Sequence, residues 1–211
     1  MIIYIKGDYT KEIPFNYLEL AKRMWFESYR GKALSLSYSG YSGIVEDGDL
    51  AIHLKLNKQE CDERWSKVPI QEGIKYRFYS QIDECLNLDY EDAYVTDFRE
   101  NGDCLRLAST HLELLTIDKR AFYIMAIEIA TIFNGQISED DKKTWLTIEE
   151  FKEKHQDILS LTFDKANEMS LEEIQTIDAI DDPIWEELDR KREEYIQIHG
   201  EVELDDDEED D

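Results

Sequence analysis

The stretch DKRAFYIMAIEIATIFNG, residues 118–135, decides how the rest of this chain must be read. Ala121, Phe122, Ile124, Met125, Ile127, Ile129, Ala130, Ile132 and Phe133 fall on nearly every side of a 3.6-residue helix, so the pattern predicts a central buried helix. Asp118 is placed to cap its start, and Asn134-Gly135 supplies the left-handed stop. Tyr123, Glu128 and Thr131 interrupt the run well before the length a bilayer crossing needs, so no transmembrane helix is expected. A helix apolar on nearly every side has to be covered by other elements, and the search for those elements sets the fold.

Upstream the pattern has the period of strands. Met1 to Lys6 alternates in strand fashion and lacks the basic leader and apolar segment of a secretion signal. After Ile13-Pro14, the residues Tyr17, Leu18, Ala21, Met24 and Trp25 recur at helical spacing, with Gly31 as a stop. Ala33 to Tyr38 and Leu50 to Leu56 alternate apolar with polar side chains and read as two strands of one sheet. Between them, Ser39-Gly40-Tyr41-Ser42-Gly43 and Glu46-Asp47-Gly48-Asp49 read as turns around a short strand at Ile44 and Val45. Ile74 to Ile82 suits a further strand, while Asp83 to Leu115 fits helix and strand about equally well.

Downstream, Gln136 to Ser138 and Lys143 to Leu146 suggest a small hairpin joined by Glu139-Asp140-Asp141. Thr147-Ile148-Glu149-Glu150 fits a capping box, with Leu146 and Phe151 in the staple positions. Ser170-Leu171-Glu172-Glu173 repeats the device between Met169 and Ile174, and Asp182-Pro183 opens a last helix through Trp185, Leu188 and Tyr195. The expected fold class is therefore α+β: a mixed or antiparallel sheet in the N-terminal half, a central buried helix and a helical C-terminal third. The expected organisation is a single domain over residues 1–200 and a disordered acidic tail over 201–211, where repulsion and the lack of apolar mass oppose packing.

The side chains that carry chemistry form no recognisable motif. His53, His111, His155 and His199 are scattered, none within four residues of another or of a cysteine, so no metal site is expected. Cys61, Cys85 and Cys104 are odd in number and far apart, which excludes a disulfide framework and suits a reducing cytoplasm. Ser39 to Gly43 has its glycines in the wrong places for a nucleophile elbow, although Tyr38 and Tyr41 among small neighbours have the composition of a binding loop. No glycine-rich loop leads into a helix to cradle phosphate, so no nucleotide cofactor is expected. Asp97 to Asp103 lacks the ligand spacing of a calcium loop. Glu128 is the most suggestive single acid because it interrupts an otherwise apolar helix; the alternatives are a solvent-facing edge or an ion pair.

From residue 118 to 155, an apolar helix, Asn134-Gly135, a short hairpin and Trp145-Leu146-Thr147-Ile148-Glu149-Glu150-Phe151 resemble a pattern in small bacterial proteins of the toxin-immunity type. The resemblance implies a cytoplasmic binding protein that neutralises a toxin by covering its active surface, and it carries over no site residue.

Charge points the same way. Fifty acids against twenty-four bases give a net charge of -26, which opposes direct binding to a phosphate backbone and favours a basic protein partner. The expected function is a non-enzymatic interaction protein, in its sharper form an immunity or inhibitor protein, with no catalytic, cofactor or metal residues. The alternatives are an enzyme whose acid and base come from distant segments, and an acidic mimic of nucleic acid. Oligomeric state and the partner-binding surface stay open at this level.

Overall fold

A computed structural model describes residues 1–9, 11, 14, 16–41, 51–68, 82, 84–90, 104–111, 113–176, 190, 193–194 and 196–198. The chain divides into two compact units, Met1–Ile177 and Asp178–Asp211. The described residues of the second unit, among them Arg190, Glu193 and Ile198, are helical, and Ile198 is exposed.

The first unit is an α+β assembly around an antiparallel sheet. Its strands are β1 (Ile2–Lys6), β4 (Leu36–Tyr41), β5 (Ala51–Leu56), β6 (Leu86–Tyr90), β7 (Cys104–Ser109) and β8 (Gln136–Ser138), in the order β4-β5-β6-β7-β1-β8. Every pairing is antiparallel. Register puts Gly40, Ile52, Leu88, Leu107 and Ile3 in one row across the sheet, with Ile5, Leu54, Leu86 and Leu105 on the same face, and the large side chains of this set are fully buried or nearly so. Among the described residues the helices are α1 (Tyr17–Met24), α2 (Lys58–Cys61), α3 (Thr116–Ile132), α4 (Ile148–Lys154), α5 (Gln156–Leu159) and α6 (Phe163–Thr176), with a 3₁₀ turn at Glu63–Lys67.

The decisive stretch is α3. It touches β1, α1, α4, α5 and α6, and Ala121, Phe122, Met125, Ala126, Ile129 and Ala130 have no solvent exposure. Its hydrophobicity on nearly every side follows from this central position, with Glu128 and Thr131 on the strip that stays partly exposed. Asn134 with φ 49° and the bond from Gly135 N to the Ala130 carbonyl close its end. A Cβ on Gly135 would stand 2.3 Å from the Lys6 carbonyl oxygen, so the chain can pass this close to β1 only as glycine.

Its start is built differently from the expectation. The helix begins at Thr116, and Asp118 lies in the first turn instead of capping it. Glu173 accepts from the Thr116 amide and hydroxyl, and the Ser170 hydroxyl accepts from the Ile117 amide at 2.8 Å. Ser170-x-x-Glu173 therefore caps another helix: both residues lie within α6, and the expected capping box at Ser170 is not a helix start. Packing of α6 against α3 supplies the acceptors that local sequence was expected to supply.

Other boundaries also moved. Asn16, and not the Ile13-Pro14 step, caps α1, and Trp25 ends it. Arg30 and Gly31, with φ 51° and 76°, form the two-residue turn of a separate ribbon between β2 (Ser28–Tyr29) and β3 (Lys32–Ala33). Ser39, Gly40 and Tyr41 belong to β4 and not to a turn. Within Asp83 to Leu115 the described elements are strands, β6 and β7. The second arm of the small hairpin reduces to one bridge, Ile137 to Leu146. The capping box at Thr147 and Glu150 is present, with Phe151 buried behind it. The strand expected over Ile74 to Ile82, the short strand at Ile44 and Val45, Asp97 to Asp103 and the acidic tail lie outside the described residues apart from Ile82.

Candidate functional site

Among the described residues of the first unit, charged side chains gather in four clusters. The most buried pairs Lys58, at the start of α2, with Asp118 in the first turn of α3 at 2.8 Å. Both side chains are sealed from solvent, and Lys58 also donates to the Ile82 carbonyl at 2.8 Å. Loss of water around Asp118 pushes its carboxyl up to about 6, and the Lys58 ammonium only partly opposes this. Glu84, 1% exposed, accepts from the Thr110 amide at 2.6 Å and meets His111 Nδ1 at 2.5 Å, and its charge raises Asp118 further. The cluster ties α2, the segment after β7 and the first turn of α3 together.

A second cluster joins the 3₁₀ turn to α6. Arg64 forks between Asp62 and Glu168, with Nη2 at 2.6 Å from each carboxylate. Asn167 donates to Asp62 at 3.0 Å and accepts from the Trp65 indole at 2.9 Å. The Arg64 guanidinium holds Asp62 down to about 2 despite its burial. Arg30 extends the network to Asp164, whose carboxylate accepts from the Tyr29 hydroxyl at 2.9 Å. Burial, with that bond, pushes Tyr29 up to about 12.

The third cluster lies beyond β8. Glu139 accepts from Lys154 at 2.6 Å and lies 2.9 Å from His155 Nε2, while the His155 ring packs against Tyr123 and Phe151.

The fourth occupies the sheet face turned away from the apolar row. His53 Nδ1 is 2.7 Å from Asn87 Oδ1 and His53 Nε2 is 3.6 Å from Asp89. The Cys85 thiol donates to the same Asn87 oxygen at 3.2 Å. Alternation along β6 puts Asn87 and Asp89 on one side, with Cys85 just before the strand, and pairing with β5 brings His53 opposite Asn87. Burial raises the Asp89 carboxyl and the Cys85 thiol. A raised thiol is the opposite of an activated nucleophile.

Each described histidine thus meets a carboxylate, which scattered sequence positions could not reveal; His199 lies outside the described residues. No group of three or more histidine, cysteine or acidic residues able to hold a metal occurs among the described residues. The three cysteines are free, Cys61 and Cys104 buried and Cys85 half-buried. Glu128 forms an ion pair with Arg23 at 2.5 Å, one of the two alternatives weighed for it. It also lines an open groove of about 730 Å³ floored by Ile124, Ile127 and Leu159 and edged by Lys152 and Glu153. Neither this groove nor a smaller one beside Arg64 and Glu168 reaches Asp118. Among the described residues no helix is long and apolar enough to cross a membrane.

Lys58, Arg64 and Asn167 carry no motif and were missed. Lys58 sits in a short polar segment that reads as surface, and only the fold turns it inward. No known protein family, curated protein or solved structure matches the chain.

Proposed function

We propose that this chain is a non-enzymatic interaction protein that engages a basic protein partner, and in its sharper form an inhibitor of the toxin-immunity type. The observation that supports this reading is the way its cations are spent. Arg23, Arg30, Lys58, Arg64, Lys67 and Lys154 all pair with carboxylates of the same chain. Each such pair takes up an acid together with a base, so the excess of fifty acids over twenty-four bases stays unmatched within the chain. Such an excess attracts cationic partners and speeds their encounter. Nine of the acids lie in Glu201 to Asp211, so most of the charge belongs to the rest of the chain.

The test is capture of partners at low salt by the full chain and by a chain ending at Gly200. A single basic protein held by both forms supports the reading and places the interface outside the tail. Loss with the truncated form alone assigns binding to the tail, and absence of a basic partner with either form rejects the proposal.

One observation favours a second reading, an acid/base site. Asp89 has a carboxyl raised by burial, lies 3.6 Å from His53 and comes with it from two different strands. Titration of His53 by NMR, with and without Asp89→Asn, tests whether the two are coupled; independent titration rejects this reading.

A further inference from the structure

The two edges of the sheet differ in how they are protected. At one end β8 is three residues long, and its outer side is met by the bridge from Ile137 to Leu146. At the other end β4 runs for six residues, Leu-Ser-Tyr-Ser-Gly-Tyr, and no strand pairs with its outer side among the described residues. Ser37, Tyr38, Ser39 and Gly40 are exposed. Natural sheets blunt a free edge with charge, proline, a bulge or shortness, because its open N–H and C=O groups template another strand. Between Leu36 and Tyr41 there is no charge and no proline, and the register with β5 is unbroken.

This edge is also held in place before anything binds. Ser37 donates to Asn57 at 3.1 Å, and Asn57 donates to Ser35 at 3.0 Å, anchoring the entrance of β4 to the start of α2. Gly40, with φ 109°, brings the strand so close to β5 that a Cβ would stand 2.1 Å from the Ala51 carbonyl oxygen. Ordering losses on strand addition therefore fall mainly on the incoming segment. Tyr38 projects beside this edge 53% exposed, its ring stacked on Tyr17 with centroids 3.5 Å apart. Stacked, exposed tyrosine rings attract ammonium and guanidinium groups to their open face.

We propose that β4 is a docking edge to which an extended, basic segment of a partner protein adds as a further antiparallel or parallel strand, with a lysine or arginine over Tyr38. The inference rests on the reading of a basic partner given above, and the net charge of -12 on residues 1–177, 33 acids against 21 bases, is what selects the occupant. Main-chain bonds supply the affinity, and the alternation of Tyr38 with Ser37 and Ser39 sets which side chains the segment presents to each face. A second copy of this chain would bring an equal negative charge to the same edge and is disfavoured.

The experiment uses the full chain and three synthetic peptides: one alternating lysine with threonine or valine, the same peptide with a central proline, and the same peptide with glutamate for lysine. Binding is followed by fluorescence anisotropy, and the amides of Leu36–Tyr41 by hydrogen exchange. The expected result is that the lysine peptide binds and protects the β4 amides, while the proline and glutamate peptides bind at least about tenfold more weakly. Tyr38→Ala weakens the lysine peptide about two- to fivefold and Tyr38→Phe restores it. Equal binding of the lysine and proline peptides without β4 protection overturns the docking edge and leaves the basic-partner reading intact. Equal binding of the glutamate peptide with β4 protected overturns the basic occupant and takes the earlier reading with it. Protection of β4 that grows with protein concentration in the absence of peptide assigns the edge to a second copy and overturns the proposal.

Discussion

Replacing Lys58 with methionine separates what a buried ion pair does from what hydrophobic packing does. Methionine keeps most of the stem, so the main loss is the ammonium that faces Asp118 at 2.8 Å and the bond to the Ile82 carbonyl. Asp118, 1% exposed, then either carries an unpaired buried charge or takes up a proton, and both cost stability at pH 7.5. Breaking a buried pair from one side costs about 3–5 kcal/mol. For a unit of this size each kcal/mol lowers the midpoint by roughly 2–4 °C, so Lys58→Met lowers Tm by roughly 10 °C at pH 7.5.

The pH dependence gives the sharper signature. In the folded chain the Asp118 carboxyl already titrates at about 6, above its ordinary value of 3.8, so folding takes up a proton between those limits. Its contribution to stability is fully present below the unfolded value and is lost as pH rises through about 6. Without Lys58 the folded value moves higher still, and the deficit of the variant therefore shrinks as pH falls toward 5. Urea unfolding of both chains at pH 5 and 7.5 checks this. A deficit under about 1 kcal/mol at pH 7.5, or one that stays constant between the two pH values, refutes the reasoning. The double variant Lys58→Met with Asp118→Asn removes both charges and restores most of the loss.

Ser170→Ala costs about 1 kcal/mol although alanine suits a helix interior better than serine, because the Ile117 amide loses its acceptor; urea unfolding measures it. Asp62, held at about 2 by Arg64, contributes stability above its unfolded value that is lost as pH falls from about 4 to 2; Arg64→Ala raises its titration midpoint, read from the carboxyl carbon by NMR. Gly135→Ala forces a Cβ against the Lys6 carbonyl and costs more than about 2 kcal/mol by thermal unfolding.

The sequence carried the layer arrangement because hydrophobic period survives whatever packs against it. The run from Ala121 to Phe133 announced a central buried helix, and α3 is largely buried, with a partly exposed strip at Ile124, Glu128 and Thr131; Leu50 to Leu56 announced alternation, and β5 alternates between buried and half-buried residues. Local devices were legible only where they act locally. Thr147 and Glu150 cap their own helix, whereas Ser170 and Glu173, with the same spacing, cap a helix more than fifty positions earlier. The clusters were invisible for the same reason: Lys58 meets Asp118, Arg64 meets Glu168 and His111 meets Glu84 across long separations, and each residue looks like surface in its own window. Glu128 could be singled out because it breaks an apolar pattern, but its partner Arg23 lies on another helix.

The central claim is that the acidic surface of the folded chain recognises a basic protein. Its most direct test is the salt dependence of the affinity for the captured partner, measured for the full chain and for the chain ending at Gly200 between about 0.05 M and 0.5 M salt. The expected result is a basic partner whose affinity falls steeply over that range for both chains. An affinity indifferent to salt, or a captured partner that is itself acidic, contradicts the claim.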